Sequence, residues 1–171
     1  DMFYEAFLPE YTVKDWVLFV EAFPRSYDEF INLYGYNDDE FELALLYYEA
    51  NDHIEFLFSD DRILEPVCLD MLIKLTNGFY WQADAAAYLS MHIQSMLKDH
   101  PDLMSTFLKD KDDYLVKYFL KCAISTPHPE PENTVYYNEY LKLVEQYKNR
   151  SPKIVRLFKA AHKELVDEWR E

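Results

Sequence analysis

Two glycines in 171 residues exclude more folds than any other feature of this chain. Tight hairpin turns need backbone at positive φ, which glycine supplies without steric cost, and an all-β sandwich or barrel needs a turn roughly every 8–12 residues. Gly35 and Gly78, even with 8 prolines, cannot furnish them. Helices need neither residue in their interiors. Half of the residues are hydrophobic and 18% are aromatic, which is a composition for a packed core and not for a disordered chain. The length fits one all-α domain over residues 1–171.

Helical periodicity recurs along the chain. Thr12-Val13-Lys14-Asp15 has the form of a capping box with Asp in place of Glu and opens a helix over 13–22. Ser26-Tyr27-Asp28-Glu29 opens a second as a complete box, with Gly35 as a left-handed terminator. The apolar positions of 40–50 predict a third helix, and Asn51-Asp52 then interrupts or recaps it before a short helix over 53–58. Pro66, Pro101 and Pro152 sit where proline suits a first turn, giving helices that start at these residues. The segment 80–98 reads as a long helix whose alanine-rich run, Ala83 to Ala87, invites a close helix crossing. Further helices are expected over 112–124, with Tyr114, Tyr118 and Cys122 inward, and over 134–148. Three alternate prolines within residues 126–131 forbid a helix there, and 126–133 is the one candidate sub-boundary. The architecture predicted is an irregular, right-handed, HEAT-like stack of antiparallel helical hairpins, with a compact multi-helix bundle as the alternative.

Charge narrows the partners. The net charge is −15, a sign that repels phosphate backbones and argues against nucleic acid as a direct partner. It is also uneven: residues 1–60 carry 15 acids and 2 bases, 61–110 carry 7 and 4, and 111–171 carry 10 and 11. Tyrosine is rich in the same first third, at Tyr4, Tyr11, Tyr27, Tyr34, Tyr36, Tyr47 and Tyr48. Such rings either fill grooves between helices or pair contact area with a polar tip at an interface. No apolar run is long enough to span a bilayer, and the first residues have no basic and apolar leader pattern. The cytoplasm is the default location, while a chain that begins at Asp1 and not at Met also fits an exported mature product.

Chemistry-bearing motifs are scarce. Nucleotide-binding glycine loops and a nucleophile elbow are absent, and two glycines could not build them. The five histidines show no metal-ligand spacing, so neither metal nor cofactor is expected. Cys68 and Cys122 fall in apolar helical patterns and read as buried thiols, although their state as free or paired stays open. Asp84, Tyr88 and His92 recur one turn apart, a column that could move a proton if it lined a groove with Trp81 as a stacking wall.

The segments Phe23-Pro24-Arg25-Ser26-Tyr27-Asp28-Glu29-Phe30, Leu33-Tyr34-Gly35-Tyr36-Asn37-Asp38, His53-Ile54-Glu55-Phe56-Leu57-Phe58 and Trp81-Gln82-Ala83-Asp84-Ala85 resemble an uncharacterised all-helical family from Bacteroidetes. The resemblance covers residues 20–95. It implies a helical fold, implies no activity and carries over no functional residue.

Two functions follow as expectations. The first is a non-enzymatic interaction module whose acidic face, with Tyr34, Tyr36, Asp38, Asp39, Tyr47 and Tyr48, binds a basic protein, in its most concrete form as an immunity-type inhibitor of a toxin. The second is a small-ligand or hydrolytic site near residues 80–98, using Trp81, Asp84, Tyr88 and His92. If the N-terminal acids repel one another in the folded chain, their pKa values rise, and both acidification and salt should stabilise the fold.

Overall fold

The computed structural model of the chain describes residues 12–37 and 42–170. The fold is all-α, with 71% of the described residues helical, and the elements follow one another with short links. They are α1 (Val13–Ala22), α2 (Tyr27–Tyr34), the two-residue strands β1 (Tyr36–Asn37) and β2 (Glu42–Leu43), and α3 (Ala50–Phe58). After a 3-10 turn at Asp61–Leu64 come α4 (Pro66–Leu75), α5 (Ala83–Asp99), α6 (Pro101–Leu108), α7 (Asp113–Ala123), α8 (Thr134–Tyr147) and α9 (Pro152–Arg170).

The odd-numbered helices form one row, α1 beside α3, α3 beside α5, α5 beside α7 and α7 beside α9. The even-numbered helices lie against this row, with α2 beside α4, α6 beside α8, and α4 crossing onto α7. Helix lengths run from 8 residues in α2 and α6 to 19 in α9, so the stack is irregular. One hydrophobic cluster runs through it from Trp16 to Leu165, and Ala85, Ala86 and Leu89 of α5 are buried in it. Removing such side chains from water at roughly 25 cal/mol per Å² is the main force closing the two rows. Buried polar tips are spent on backbone: Trp16 Nε1 donates to the Leu57 carbonyl at 3.1 Å, and the Tyr147 hydroxyl donates to that of Leu97 at 2.8 Å. Helices α8 and α9, beyond the proline-rich segment, pack on α5, α6 and α7.

Several sequence expectations need correction. The helix expected over 40–50 does not form in its described part: Tyr36 pairs with Leu43 in a two-stranded antiparallel hairpin, and 45–49 are turns. The physical reason is the competition for backbone partners, because the amides of Ala44 and Leu46 donate to the carbonyls of Gly35 and Leu33 (3.0 and 2.9 Å) and fold the chain back on the end of α2. Asn51 and Asp52 interrupt nothing, since they lie in the first turn of α3. The Thr12–Asp15 box closes reciprocally. The Ser26 box is half-made, with Ser26 accepting from the Glu29 amide while the Glu29 carboxylate accepts from the Arg25 amide instead. Trp81 precedes α5, which starts at Ala83. Tyr114 faces solvent, and Lys121 is buried.

Gly35 is not left-handed. Its φ is −90°, and glycine is required there by space: a Cβ would lie 2.7 Å from the Ile31 carbonyl oxygen and 2.8 Å from its Cγ2, with the Gln82 side chain closer still. Gly78, at φ 78°, supplies the positive φ of the turn after α4, in which the Phe79 amide donates to the carbonyl of the C-cap Thr76 at 3.0 Å. Gly35→Ala should therefore destabilise by about 1–2 kcal/mol through overpacking, read as a lower melting temperature. An unchanged melting point would show that the α2 end relaxes freely.

Candidate functional site

The candidate tyrosines separate by environment. Tyr34 is 2% exposed, packed against Phe23 and Phe30 with its hydroxyl 3.1 Å from His53 Nδ1, and burial pushes its pKa up to about 12. It is a core residue. Tyr36 is half-buried and its carbonyl accepts from Gln82 Nε2. The Tyr47 hydroxyl donates to Asp84 at 2.7 Å, a bond that pushes its pKa up to about 12 and ties the turn to the start of α5. Tyr48 stands edge-on to Tyr47 and is 81% exposed, and Leu45 on the same turn is 85% exposed. Asp38, Asp39, Tyr4 and Tyr11 lie outside the described residues.

The acids around this turn are solvent-facing: Glu42, Glu49, Asp52 and Glu55 are all exposed. Among the described residues, the only ion pair formed before residue 66 is that of Asp60 with Arg62, which holds the Asp60 carboxyl down at about 2. Most Lys and Arg side chains of residues 98–163 pair with acids of their own half, such as Glu139, Asp113 and Glu164, while Lys111 pairs with Asp70. Four acids, Glu49, Asp52, Glu55 and Asp60, rim a groove of about 900 Å³ between α1 and α3 whose apolar wall includes Trp16, Phe19 and Phe56. Carboxylates over aromatic walls present negative potential next to apolar area, the combination that a cationic amphipathic segment matches.

The column read on α5 does not converge. Asp84 is engaged by Tyr47, while the His92 ring stacks on Phe58 with centroids 4.8 Å apart and burial lowers its pKa. Tyr88 packs against the hydrophobic cluster. Trp81 does line a cavity of about 370 Å³, but on another side of α5, with Ala87, Ser90, Met91 and Gln94. Cys68 and Cys122 are free and buried, and burial raises both thiols above their ordinary range. Among the described residues no group of three or more His, Cys, Asp and Glu side chains could hold a metal ion, and no helix is long and apolar enough to cross a membrane.

Helical periodicity places Leu45 and Tyr48 on an apolar helix face, so the sequence pattern does not announce the exposed turn. No family model, curated protein or solved structure matches the chain, so its function is read from its own residues.

Proposed function

We propose that this chain is a non-enzymatic protein-interaction module that docks a basic protein through residues 42–60, in its most concrete form as an immunity-type inhibitor that masks a cationic partner. The supporting observation is the exposed pair Leu45 and Tyr48 set among Glu42, Glu49, Asp52 and Glu55, carboxylates with no ion pair among the described residues. Unpaired like charges on one surface accelerate encounter with an opposite charge, and a few apolar anchors then supply most of the affinity. Tyr47 serves as a strut: its bond to Asp84 holds the turn that displays Tyr48.

The test is capture from a native extract of the source cells at low salt, comparing the wild type with Glu49→Lys/Asp52→Lys/Glu55→Lys, with Tyr48→Ala, and with the control reversal Glu145→Lys on exposed α8. The expected result is a basic protein retained by the wild type and the control, eluted by salt, lost by the triple reversal and weakened about tenfold by Tyr48→Ala. Equal capture by the triple reversal, or no basic protein retained at any ionic strength, would overturn the reading.

A further inference from the structure

Two cavities, of about 370 and 290 Å³, share Trp81, Thr126 and Pro127 as a common wall and share no residue with the acidic groove. Tyr136 and Tyr140 of α8 line the first, Tyr80 and Trp169 the second. Five aromatic side chains from the link before α5, from α8 and from α9 thus meet on one stretch of surface. Tyr80, Tyr136 and Trp169 are exposed, as are Met91 and Val135 of the first cavity. Exposed Trp, Tyr and Met side chains gathered in this way have the composition of an interface core.

Charge sets this surface apart from the acidic one. Its lining holds two carboxylates, and both have lysine partners: Glu139 pairs with Lys98 and Lys142, Glu168 with Lys121. No other charged side chain among the described residues lines either cavity, so the surface matches an uncharged partner. Hydrogen bonding narrows the partner further. Gln94 donates to the Ala123 carbonyl at 3.0 Å and Ser90 to the Ser125 carbonyl at 3.4 Å, while Thr126 accepts from the His128 amide at 3.4 Å. The indole N–H groups of Trp81 and Trp169 and the hydroxyls of Tyr136 and Tyr140 make no hydrogen bond to any described residue, and the polar atoms of Trp81 and Tyr140 stay within reach of solvent. An indole N–H can only donate and a phenol can donate, so the open positions ask for acceptors.

A polyproline II segment meets both demands. It makes no internal hydrogen bonds, which leaves its carbonyls free to accept, and proline brings no N–H that would need a partner. Its conformation is also preformed, so little entropy is lost on docking among aromatic rings. The protein seats one proline-rich segment of its own beside the same rings: Pro127 and Pro129 line the smaller cavity with Trp81 and Trp169, and the His128 ring between them stands edge-on to Trp169, centroids 5.0 Å apart. The Pro129 carbonyl is tied to His162 Nε2 at 3.0 Å, and the His162 ring stacks on Tyr140 with centroids 4.2 Å apart. These contacts hold the walls in place before any partner arrives.

We propose that this surface docks an uncharged, proline-rich segment of another protein in the polyproline II conformation. Its prolines pack on Trp81, Tyr136 and Trp169, and its carbonyls accept from the open indole and hydroxyl donors. With about three residues per turn, prolines at i and i+3 lie on one side of the segment, one for each cavity.

The probe is acetylated, amidated decaproline, and the readout is the indole N–H resonances of the three tryptophans, assigned with Trp→Phe variants. Decaproline should shift Trp81 and Trp169 saturably with a Kd below millimolar and leave Trp16, whose N–H is bonded to the Leu57 carbonyl in the core, unmoved. Sodium chloride should not weaken this binding, in contrast to docking on the acidic surface. Trp81→Ala should weaken it about tenfold, and Tyr136→Phe, which keeps the ring, roughly 2- to 5-fold. Val135→Lys, at an exposed position, puts a charge beside the apolar wall, should also weaken binding, and serves if Trp81→Ala does not fold. The inference is overturned by the absence of a saturable shift in the wild type, by equal affinity for a Gly-Ser decapeptide or an uncharged leucine and glutamine helix, or by undiminished affinity in folded Trp81→Ala or Val135→Lys. Shifts of the same resonances that grow with protein concentration alone would assign the surface to a second copy of this chain and overturn it equally.

Discussion

Glu164→Ala should lower the melting temperature by about 4–8 °C, whereas Lys121→Met should leave it within about 2 °C of the wild type. Lys121 of α7 is 1% exposed, and its ammonium is held by Glu164 at 2.9 Å and Glu168 at 2.6 Å, both on α9. Lys117 also pairs with Glu164, so one carboxylate carries two cations at the α7–α9 seam. Removing Glu164 strands a buried charge with only the half-exposed Glu168, at a cost of about 2 kcal/mol after allowance for the partly exposed carboxylates. Each kcal/mol moves the midpoint of a domain this size by ~2–4 °C. Removing the ammonium instead ends the desolvation penalty and leaves Glu164 with Lys117, which is close to neutral. Thermal melts of the two variants decide it. A loss with Lys121→Met as large as that with Glu164→Ala would mean that the buried ammonium is itself a net source of stability.

Acid should destabilise this protein from pH 6.5 downward, the opposite of what its N-terminal charge excess suggests. His92 and His162 are pushed below their ordinary 6.5 by burial, so the unfolded chain takes up protons before the folded one. Stability falls as pH drops from about 6.5 through the folded values. Five carboxyls then act in the same direction. Asp15 is lowered by Thr12, Asp60 to about 2 by Arg62, Asp113 by Arg156 and Lys153, and Glu139 to about 2 by Lys142 and Lys98. In Glu164 burial pushes upward, but the bonds from Lys117 and Lys121 outweigh it. Their contributions are complete above the unfolded values near 4 and are lost as pH falls toward 2. Melting temperatures at pH 7, 5.5, 4 and 3 should therefore decline at every step. A rise between pH 7 and 5.5 would show that repulsion among the unpaired N-terminal acids outweighs these terms. Salt discriminates less well, because it screens both that repulsion and the ion pairs of the C-terminal half.

What the sequence makes legible is the part of the fold governed by local rules. Thr12, Ser26 and Asp112 act as caps, and Pro66, Pro101 and Pro152 open helices. Every helix that these residues delimit is found close to its expected bounds. Residues 42–49 fail because their apolar pattern suits a helix while long-range backbone bonds to Leu33 and Gly35 decide otherwise. Lys121 fails for a related reason: its burial depends on α9 arriving 43 residues later with Glu164, and no local pattern announces that. The charge asymmetry behind the docking surface is legible from counting alone, but of its two anchors only Tyr48 is. Leu45 stands out only once the turn is known to replace a helix, whereas Tyr48 is already among the tyrosines of the acidic third. The Asp84, Tyr88 and His92 column has sound helical spacing, yet spacing within one helix says nothing about which neighbours claim each side chain, and here Tyr47 and Phe58 do.

The most direct test of the docking surface is an amide-resolved NMR titration with a 15-residue amphipathic peptide of lysine and leucine, at low and moderate salt. The predicted result is saturable binding whose amide shifts concentrate in residues 42–60, weakened by salt, weakened about tenfold by Tyr48→Ala and abolished by reversal of Glu49, Asp52 and Glu55. Shifts spread evenly over the exposed acids of α8 and α9, with the same affinity in the charge-reversed protein, would contradict it.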